Sequence, residues 1–228
     1  MSETVLLLRT CNKNMLACSQ RMREGKRIDA EPFRWPTSGP VECDDWDSRP
    51  VCGGGLHGLL YGVGNVDRLS KDDDAQWIVF EALLADVVEI TEDGGGKAKA
   101  PRGNVIYCGK RDEAIALLVK QYPDKPVIYG TATAGDGGTA TAGDGGTATA
   151  GYGGTATAGY GGTATAGYGG TATAGDGGTA TAGYGGTLSL RWWDGSRYRI
   201  AIFYVGEDGI EPNTPYRCES GKPVKVVK

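Results

Sequence analysis

The chain has 228 residues, enough for one or two domains with a buried core. Its 24 basic and 28 acidic residues give a net charge of −4, which argues against a nucleic-acid-binding protein, because such proteins usually present a basic face. No apolar run approaches the roughly 18 residues that a membrane-spanning helix needs, so we expect no membrane partner either.

The amino terminus and the cysteines bear on the cellular compartment. Residues 5–8 form the only apolar run near the start, and this run is too short for the hydrophobic region of a signal peptide. We therefore expect a cytoplasmic protein. Thiols stay reduced in that compartment, so disulfides are disfavoured. The six cysteines are Cys11, Cys18, Cys43, Cys52, Cys108 and Cys218.

Residues 1–130 are expected to form a compact α+β domain that caps the segment after it. Residues 104–108 read Asn-Val-Ile-Tyr-Cys, a composition typical of a strand. Asp112 is a suitable N-cap for a helix over residues 113–122. Pro123 then ends that helix.

The candidate chemistry of this domain lies around its histidine. Cys52 and His57 flank a glycine triplet, and a thiol beside an imidazole can act as nucleophile and base. Together with Cys43 and Cys108 they could supply four zinc ligands, although eight residues rather than two to four separate Cys43 from Cys52. Free cysteines and a lone histidine are more often structural. We therefore favour no cofactor and no catalytic residue, and a metal-dependent or thiol enzyme is the alternative.

A tandem repeat follows. From Thr131 to Gly186 the octapeptide Thr-Ala-Thr-Ala-Gly-X-Gly-Gly occurs seven times without an error. The alternation of Thr and Ala predicts a short strand, and the glycines suit tight turns. Because a unit this small can be stabilised only by its neighbours, the pattern predicts a β-solenoid over residues 131–187 rather than a flexible glycine-rich linker.

Two octapeptides are expected to form one flat coil of 16 residues, with Ala inward and Thr outward; a triangular coil of 24 residues is the alternative. Outward threonines would then stand about 6.8 Å apart along a strand and about 4.8 Å apart between coils, a grid that could order water or bind ice. One face would comprise Thr131, Thr133, Thr147, Thr149, Thr163, Thr165, Thr179 and Thr181. The opposite face would comprise Thr139, Thr141, Thr155, Thr157, Thr171 and Thr173.

The variable position X predicts two different edges for such a solenoid. One edge would carry Asp136 followed by a ladder of stacked tyrosines at Tyr152, Tyr168 and Tyr184. The other would carry Asp144, Tyr160 and Asp176. Tyrosine is enriched at protein interfaces, so the ladder predicts a seam for a homodimer, although it could also only brace the turns.

Residues 188–228 are expected to close the last coil with a β-hairpin. Residues 188–193 and 198–205 are strand-like, and Asp194-Gly195 between them is a strong turn signal. An open solenoid end would invite further strand pairing. We therefore expect the last coil to be covered by the bulky side chains of Trp192, Trp193, Phe203 and Tyr204.

The repeat resembles a known family. The octad Ala-Gly-Tyr-Gly-Gly-Thr-Ala-Thr at residues 150–157 is similar to the Ala-Gly-Tyr-Gly-Ser-Thr-x-Thr repeat of bacterial ice nucleation proteins, with Gly in place of Ser. The resemblance implies a β-solenoid with water-ordering Thr rows and a tyrosine ladder. It covers residues 131–187, and an array this short is expected to bind ice rather than to nucleate it efficiently. The whole-chain layout has a Gly-Leu-His segment at residues 55–57, glycine-rich octads and a tail at residues 206–216. This layout is also similar to uncharacterised proteins of bacteriophages and prophages, which implies the cytoplasm of a bacterial or phage-infected host cell.

From these features we predict a mainly β protein with three parts, residues 1–130, 131–187 and 188–228. The favoured function is that of a non-enzymatic structural or interaction protein, a capped β-solenoid that self-associates through its tyrosine ladder. Ice binding through the Thr grid is the first alternative. An enzyme in the amino-terminal domain is the second.

Overall fold

A computed structural model of the chain describes residues 3–17, 22–23, 26–27, 32–90 and 96–227. It is mainly β, with 45% of residues in strands and 8% in helices, and it contains a β-solenoid of about four turns. The chain divides into two compact units, Met1–Pro123 and Asp124–Lys228. Cys18, one of the cysteines expected to be reduced, lies outside the described residues.

The first unit is built on an antiparallel sheet and one helix. Its strands are β1 (Thr4–Cys11), β2 (Met22–Arg23), β3 (Lys26–Arg27), β4 (Gly39–Glu42), β5 (Leu56–Leu60), β6 (Gln76–Leu83), β7 (Val88–Ile90), β8 (Lys97–Ala100) and β9 (Arg102–Gly109). Seven of them form one sheet in the order β4-β9-β6-β1-β5-β8-β7, and β2 pairs with β3. Short 3₁₀ turns cover Val66–Arg68 and Leu84–Asp86, and helix α1 spans Arg111–Gln121.

Strand β1 lies in the middle of this sheet because it is apolar on both faces. Its residues 5–8 are all buried, Leu7 and Leu8 completely. An uninterrupted apolar run is typical of a strand that is covered on both sides. The core around it contains Trp35, Ile78 and Phe80.

Helix α1 forms where the sequence predicts a helix, but its start differs. It buries Ala114, Ile115 and Leu118 on one face and ends before Pro123. The expected N-cap, Asp112, is wrong: the cap position is Lys110, without a side-chain cap hydrogen bond. Asp112 lies instead in the first turn, where its carboxylate is stabilised by the positive end of the helix dipole.

The second unit is the solenoid with its carboxy-terminal strands. The repeat strands are β10 (Thr131–Ala134), β11 (Thr139–Ala142), β12 (Thr147–Ala150), β13 (Thr155–Ala158), β14 (Thr163–Ala166), β15 (Thr171–Ala174) and β16 (Thr179–Ala182). Then follow β17 (Thr187–Trp193), β18 (Tyr198–Tyr204), β19 (Tyr216–Glu219) and β20 (Lys222–Lys225). They form two sheets, β10-β12-β14-β16-β19-β20 and β11-β13-β15-β17-β18.

The strand register confirms the coil of 16 residues. Strand β10 pairs in parallel with β12, so that Thr131 lies beside Thr147 and Ala132 beside Ala148. The same shift of one coil relates β12 to β14, β14 to β16, β11 to β13 and β13 to β15. Each sheet therefore collects alternate octapeptides.

The core between the two sheets consists almost entirely of alanine. Ala148, Ala156, Ala164, Ala172 and Ala180 are completely buried, one above another, in the two sheets. Because alternate side chains of a strand point to opposite faces, the threonines are directed outward. The small methyl groups allow the two sheets to approach each other closely.

The carboxy-terminal closure uses different residues from those expected. Leu188, Leu190, Val205, Ile210 and Tyr216 join the alanine core, and Phe203 packs against it. Of the expected covering residues, Phe203 is thus confirmed, whereas Trp193 and Tyr204 are exposed. The reason is strand alternation: β18 pairs Phe203 with the buried Leu188, so the residue after Phe203 points to the other face.

A second hairpin, which the sequence reasoning missed, completes this end. Strand β19 pairs with β20 and places Tyr216 beside Ala180 of β16. Its turn contains Ser220 and Gly221, both at positive φ. Two consecutive positive-φ residues are the signature of a tight hairpin turn, and a Ser-Gly pair between two short strands is the signal that could have shown it.

Candidate functional site

The predicted threonine face lies on the sheet that begins with β10. Register pairing places Thr131, Thr147, Thr163 and Thr179 in one row and Thr133, Thr149, Thr165 and Thr181 in a second. Four of the eight are exposed and the other four are partly exposed, because the alanines between them point inward. The structure therefore brings together all eight residues of the predicted face.

This face is rigid for two reasons. Each strand is flanked by turns that are hydrogen-bonded to the next coil; the amide of Thr147, for example, donates to the Gly130 carbonyl at 2.9 Å. Threonine is also branched at Cβ, which restricts its side chain to few rotamers. Hydroxyl and methyl groups are thus held at the regular spacings of a parallel sheet, about 4.8 Å between strands.

The opposite face has fewer threonines. Thr139, Thr155 and Thr171 form one row and Thr141, Thr157 and Thr173 the other. The rows then continue into Thr187 and Ser189 of β17. Beyond them β18 presents Tyr204 and Ile202 beside these two residues, so this face ends in an apolar strip.

The tyrosine ladder has the predicted membership. The rings of Tyr152 and Tyr168 are stacked, with centroids 5.3 Å apart and planes within 2° of parallel. Tyr168 and Tyr184 follow at 6.0 Å with a tilt of 31°. Below them Asp136 accepts a hydrogen bond from the Tyr152 amide at 2.8 Å, which ends the ladder with a carboxylate.

The other edge shows the predicted mixed column. The Asp144 carboxylate accepts a hydrogen bond from the Tyr160 amide at 2.9 Å. The Asp176 carbonyl accepts one from the amide of Gly161, the residue after Tyr160, at 2.9 Å. Tyr160 therefore has no tyrosine above or below it in its column.

The cysteine and histidine candidates lie partly together in the first unit. Cys43, Cys52 and His57 line one cavity of about 360 Å³. The Lys97 ammonium donates a hydrogen bond to the Cys52 sulfur at 2.5 Å, whereas His57 Nδ1 lies 3.0 Å from the Gly55 carbonyl oxygen. The thiol is thus bonded to an ammonium group, not to the imidazole.

His57 lies in a positively charged part of this cavity. Burial, reinforced by Lys97, Arg9 and Lys99, lowers the pKa of His57 to about 4. Among the residues that the structure describes, His57 Nε2 and the indole nitrogen of Trp35 are buried without a hydrogen-bond partner. Neutral imidazole is therefore the favoured form at pH 7.

Cys108, the fourth zinc candidate, lies elsewhere. Its sulfur is 3.7 Å from the Met15 sulfur, and burial raises the pKa of its thiol. Within the described ranges no three His, Cys, Asp or Glu side chains are grouped as metal ligands would be. Cys43, Cys52, Cys108 and Cys218 are free thiols.

Comparison with known proteins agrees with the repeat. The chain is 34% identical over 57% of its length to an ice nucleation protein of Xanthomonas campestris pv. translucens, of which it covers 7%. It is 35% identical over 58% of its length to one of Pseudomonas syringae pv. syringae, covering 10%, and 34% identical over 54% to ice nucleation protein InaU of Pantoea ananas, covering 10%. No family model and no solved structure matches the chain.

These matches are longer than the repeat array and yet cover little of the relatives. The chain spans a tenth or less of the length of the curated relatives it matches. The expectation of a cytoplasmic protein is wrong by this comparison, because ice nucleation proteins are surface proteins anchored at the bacterial outer membrane. That expectation rested on the short apolar run near the start, which is no guide to the location of a protein whose relatives are so much longer. Among the described residues no helix is long and apolar enough to cross a bilayer.

The repeat array thus resembles the repeats of ice nucleation proteins, both in its octapeptide and in the relatives that it matches.

Proposed function

We propose that the chain is a non-enzymatic repeat protein whose eight-threonine face binds ice. The observation that carries the proposal is the unbroken register of the two Thr rows over β10, β12, β14 and β16. A flat grid of hydroxyl and methyl groups can hold a repeating layer of water molecules without first losing side-chain freedom. The relatives named ice nucleation proteins support the same activity.

The face on the first sheet is favoured over the opposite one. It offers four strands of uninterrupted Thr-x-Thr, whereas the opposite face has three such strands before Ser189 and the apolar strip. The surface beyond its last threonines carries Arg217 and Glu219, which form an ion pair at 2.6 Å and stay exposed.

The test is thermal hysteresis with ice-crystal shaping on the purified chain. Thr149 and Thr165 are register partners, so Thr149→Lys with Thr165→Glu gives an opposite-charge pair that the sheet can accept. We expect this variant to lose crystal shaping while its circular dichroism is unchanged. The matched control is Thr157→Lys with Thr173→Glu on the opposite face, which is expected to keep shaping.

Two outcomes would contradict this assignment. If the original chain gives unshaped ice discs, the face does not bind ice. If the two double variants lose shaping equally, the eight-threonine face is not the binding surface.

A second proposed activity is self-association through the tyrosine ladder. Tyr152, Tyr168 and Tyr184 are 62%, 52% and 61% exposed although they stack on one another. Aromatic rings that stay this exposed are suited to burial against a second copy. Replacing all three with Ala is expected to lower the mass measured by light scattering after size exclusion, and an unchanged mass would argue against this seam.

A further inference from the structure

The edge strand β18 presents an apolar row to solvent that neither the threonine grid nor the tyrosine ladder uses. Tyr198, Ile200, Ile202 and Tyr204 alternate along the strand and are 46%, 69%, 55% and 53% exposed. Strand β18 is the last strand of its sheet. Its residues 199, 201 and 203 point to the other face, as the packing of Phe203 against the alanine core shows.

The hydrogen-bonding phase of the hairpin leaves the same four residues with outward amides. The Asp194 amide donates to the Arg197 carbonyl at 3.1 Å, which makes this the first bonded pair beyond the turn. Bonded and non-bonded pairs alternate along an antiparallel ladder, so Tyr198 and Trp193 form a non-bonded pair. The backbone groups of residues 198, 200, 202 and 204 are therefore directed away from β17. The Tyr204 carbonyl already accepts a bond from the Glu207 amide at 3.1 Å, so Ile200 and Ile202 are the central open positions.

The neighbouring carboxy-terminal edge is protected, whereas this one is not. Strand β20 ends the other sheet and carries Lys222, Pro223 and Lys225. Lysine and proline are the residues by which edge strands resist pairing with another chain. Strand β18 has neither, and its only charged residue, Arg199, is engaged with Asp194 at 2.5 Å.

The row is also self-complementary. Read from either end, residues 198, 200, 202 and 204 are Tyr, Ile, Ile and Tyr, with Ala201 at the centre. If a second β18 runs antiparallel with Ala201 on a two-fold axis, each Tyr198 lies opposite a Tyr204 and each Ile200 opposite an Ile202. In this register the outward amides of the two strands face each other. Ala201 of one copy lies opposite Ala201 of the other and forms a non-bonded pair on the axis. Strands approach most closely at such a pair, and the alanine side chain is small enough to allow this approach.

We propose that β18 is a homodimerisation strand, which pairs antiparallel with the β18 of a second copy about a two-fold axis at Ala201. Such an interface is isologous, since the same row contributes both sides. Pairing joins the two five-stranded sheets into one and places the four exposed side chains of one copy beside those of the other. Main-chain hydrogen bonds supply the affinity, and the palindromic row fixes the register.

The test separates this seam from the tyrosine ladder. In a chain with Tyr152, Tyr168 and Tyr184 all replaced by Ala, light scattering is expected to give the mass of two chains. Adding Ile200→Lys and Ile202→Lys sets like charges opposite each other across the axis and is expected to halve that mass. A single-chain mass before the lysines are added, or a two-chain mass after them, would overturn the proposal.

A charge-exchange experiment tests whether the lysine variant is monomeric because of charge repulsion or because it is misfolded. In the same background, with Tyr152, Tyr168 and Tyr184 replaced by Ala, a chain carrying Ile200→Glu and Ile202→Glu is also expected to be monomeric. An equimolar mixture of the Lys and Glu variants in that background is expected to regain the two-chain mass. No heterodimer in that mixture, with both variants showing the original circular dichroism, would count against pairing at β18.

Oxidative cross-linking checks the register. Ala201→Cys places identical thiols across the axis, at the short separation that suits a disulfide between strands, and is expected to give a covalent dimer on a non-reducing gel. Ile200→Cys, whose opposite residue is Ile202, is the control and is expected to give no dimer beyond that of the parent chain. Cross-linking through Ile200→Cys instead would show that another register is used.

Discussion

His57 shows how one buried residue makes the first unit sensitive to acid. Its ring is desolvated among Lys97, Arg9 and Lys99, and its pKa falls from 6.5 to about 4. The folded protein therefore resists protonation of this ring, whereas the unfolded chain takes up a proton below pH 6.5. The neutral ring is also held by the contact between Nδ1 and the Gly55 carbonyl.

The sign of the pH effect follows from this difference. A depressed folded-state pKa means that stability is fully present above pH 6.5 and is lost as pH falls toward 4. Between pH 7 and pH 4.5 we expect His57 to account for a loss of about 2–3 kcal/mol in the free energy of unfolding. Urea unfolding at both pH values measures it, with His57→Gln as the variant that cannot titrate. Equal losses in the original chain and in His57→Gln would refute the prediction.

The conformation of the octapeptide turn depends on two glycines, for two different reasons. Gly153 has φ of +62° with open space around it, so it is needed for its conformation. Gly154 is needed for space, because a Cβ there would lie 2.8 Å from the Ala150 Cβ and 2.9 Å from the Gly138 carbonyl oxygen of the coil below. This is the position at which the ice nucleation protein repeat has Ser, so the coils here are too tightly closed for that side chain without a shift.

The two glycines should therefore respond differently to substitution. Gly154→Ala introduces a contact into a packed stack and is expected to lower the free energy of unfolding by about 1–3 kcal/mol. Gly153→Asn, at a position where Asn tolerates positive φ, should cost less than Gly154→Ala. Urea denaturation of the two variants compares them directly. A midpoint for Gly154→Ala equal to that of the original chain would show that the coil relaxes around the added methyl group.

The elements also show what could be predicted from sequence and what could not. The 16-residue coil and both Thr rows followed from an error-free period with two-residue alternation, because a solenoid pairs each unit only with near neighbours along the chain. The first unit offers no such rule: β1 lies between β5 and β6, and these pairings join residues as distant as Thr4 and Leu83. The contact between Cys52 and Lys97 has the same origin, since it exists only because β5 and β8 are adjacent. The alternation of residues along β18 is visible in the sequence. Which set of residues is exposed could not be predicted, because it depends on the pairing of Phe203 with the buried Leu188.

The solenoid is modular because each coil contacts only the coils next to it. Amides in the turns donate to the carbonyls of the neighbouring coil; the Gly153 amide, for example, bonds the Tyr168 carbonyl at 2.8 Å. Stability is then close to a sum over coils and their interfaces, and inserted coils should be accepted without change to either end. The length of the Thr grid can therefore be varied while its spacing stays constant.

This modularity allows the Thr grid to be lengthened without changing its spacing. A second copy of residues 147–178, inserted after Gly178, adds two strands to each sheet and lengthens each Thr face by about 9.6 Å. Because a larger rigid grid holds more ordered water, we expect ice-crystal growth to be inhibited at lower protein concentration than for the original chain, as measured by thermal hysteresis. The control insertion has the same length but carries Lys and Glu alternately from strand to strand at the outward Thr positions, so that neighbouring coils are paired by opposite charges. It should unfold at a similar urea concentration yet add nothing to the inhibition. If both insertions raise the activity equally, molecular size rather than the threonine grid is responsible; if neither does, the extended face does not act on ice.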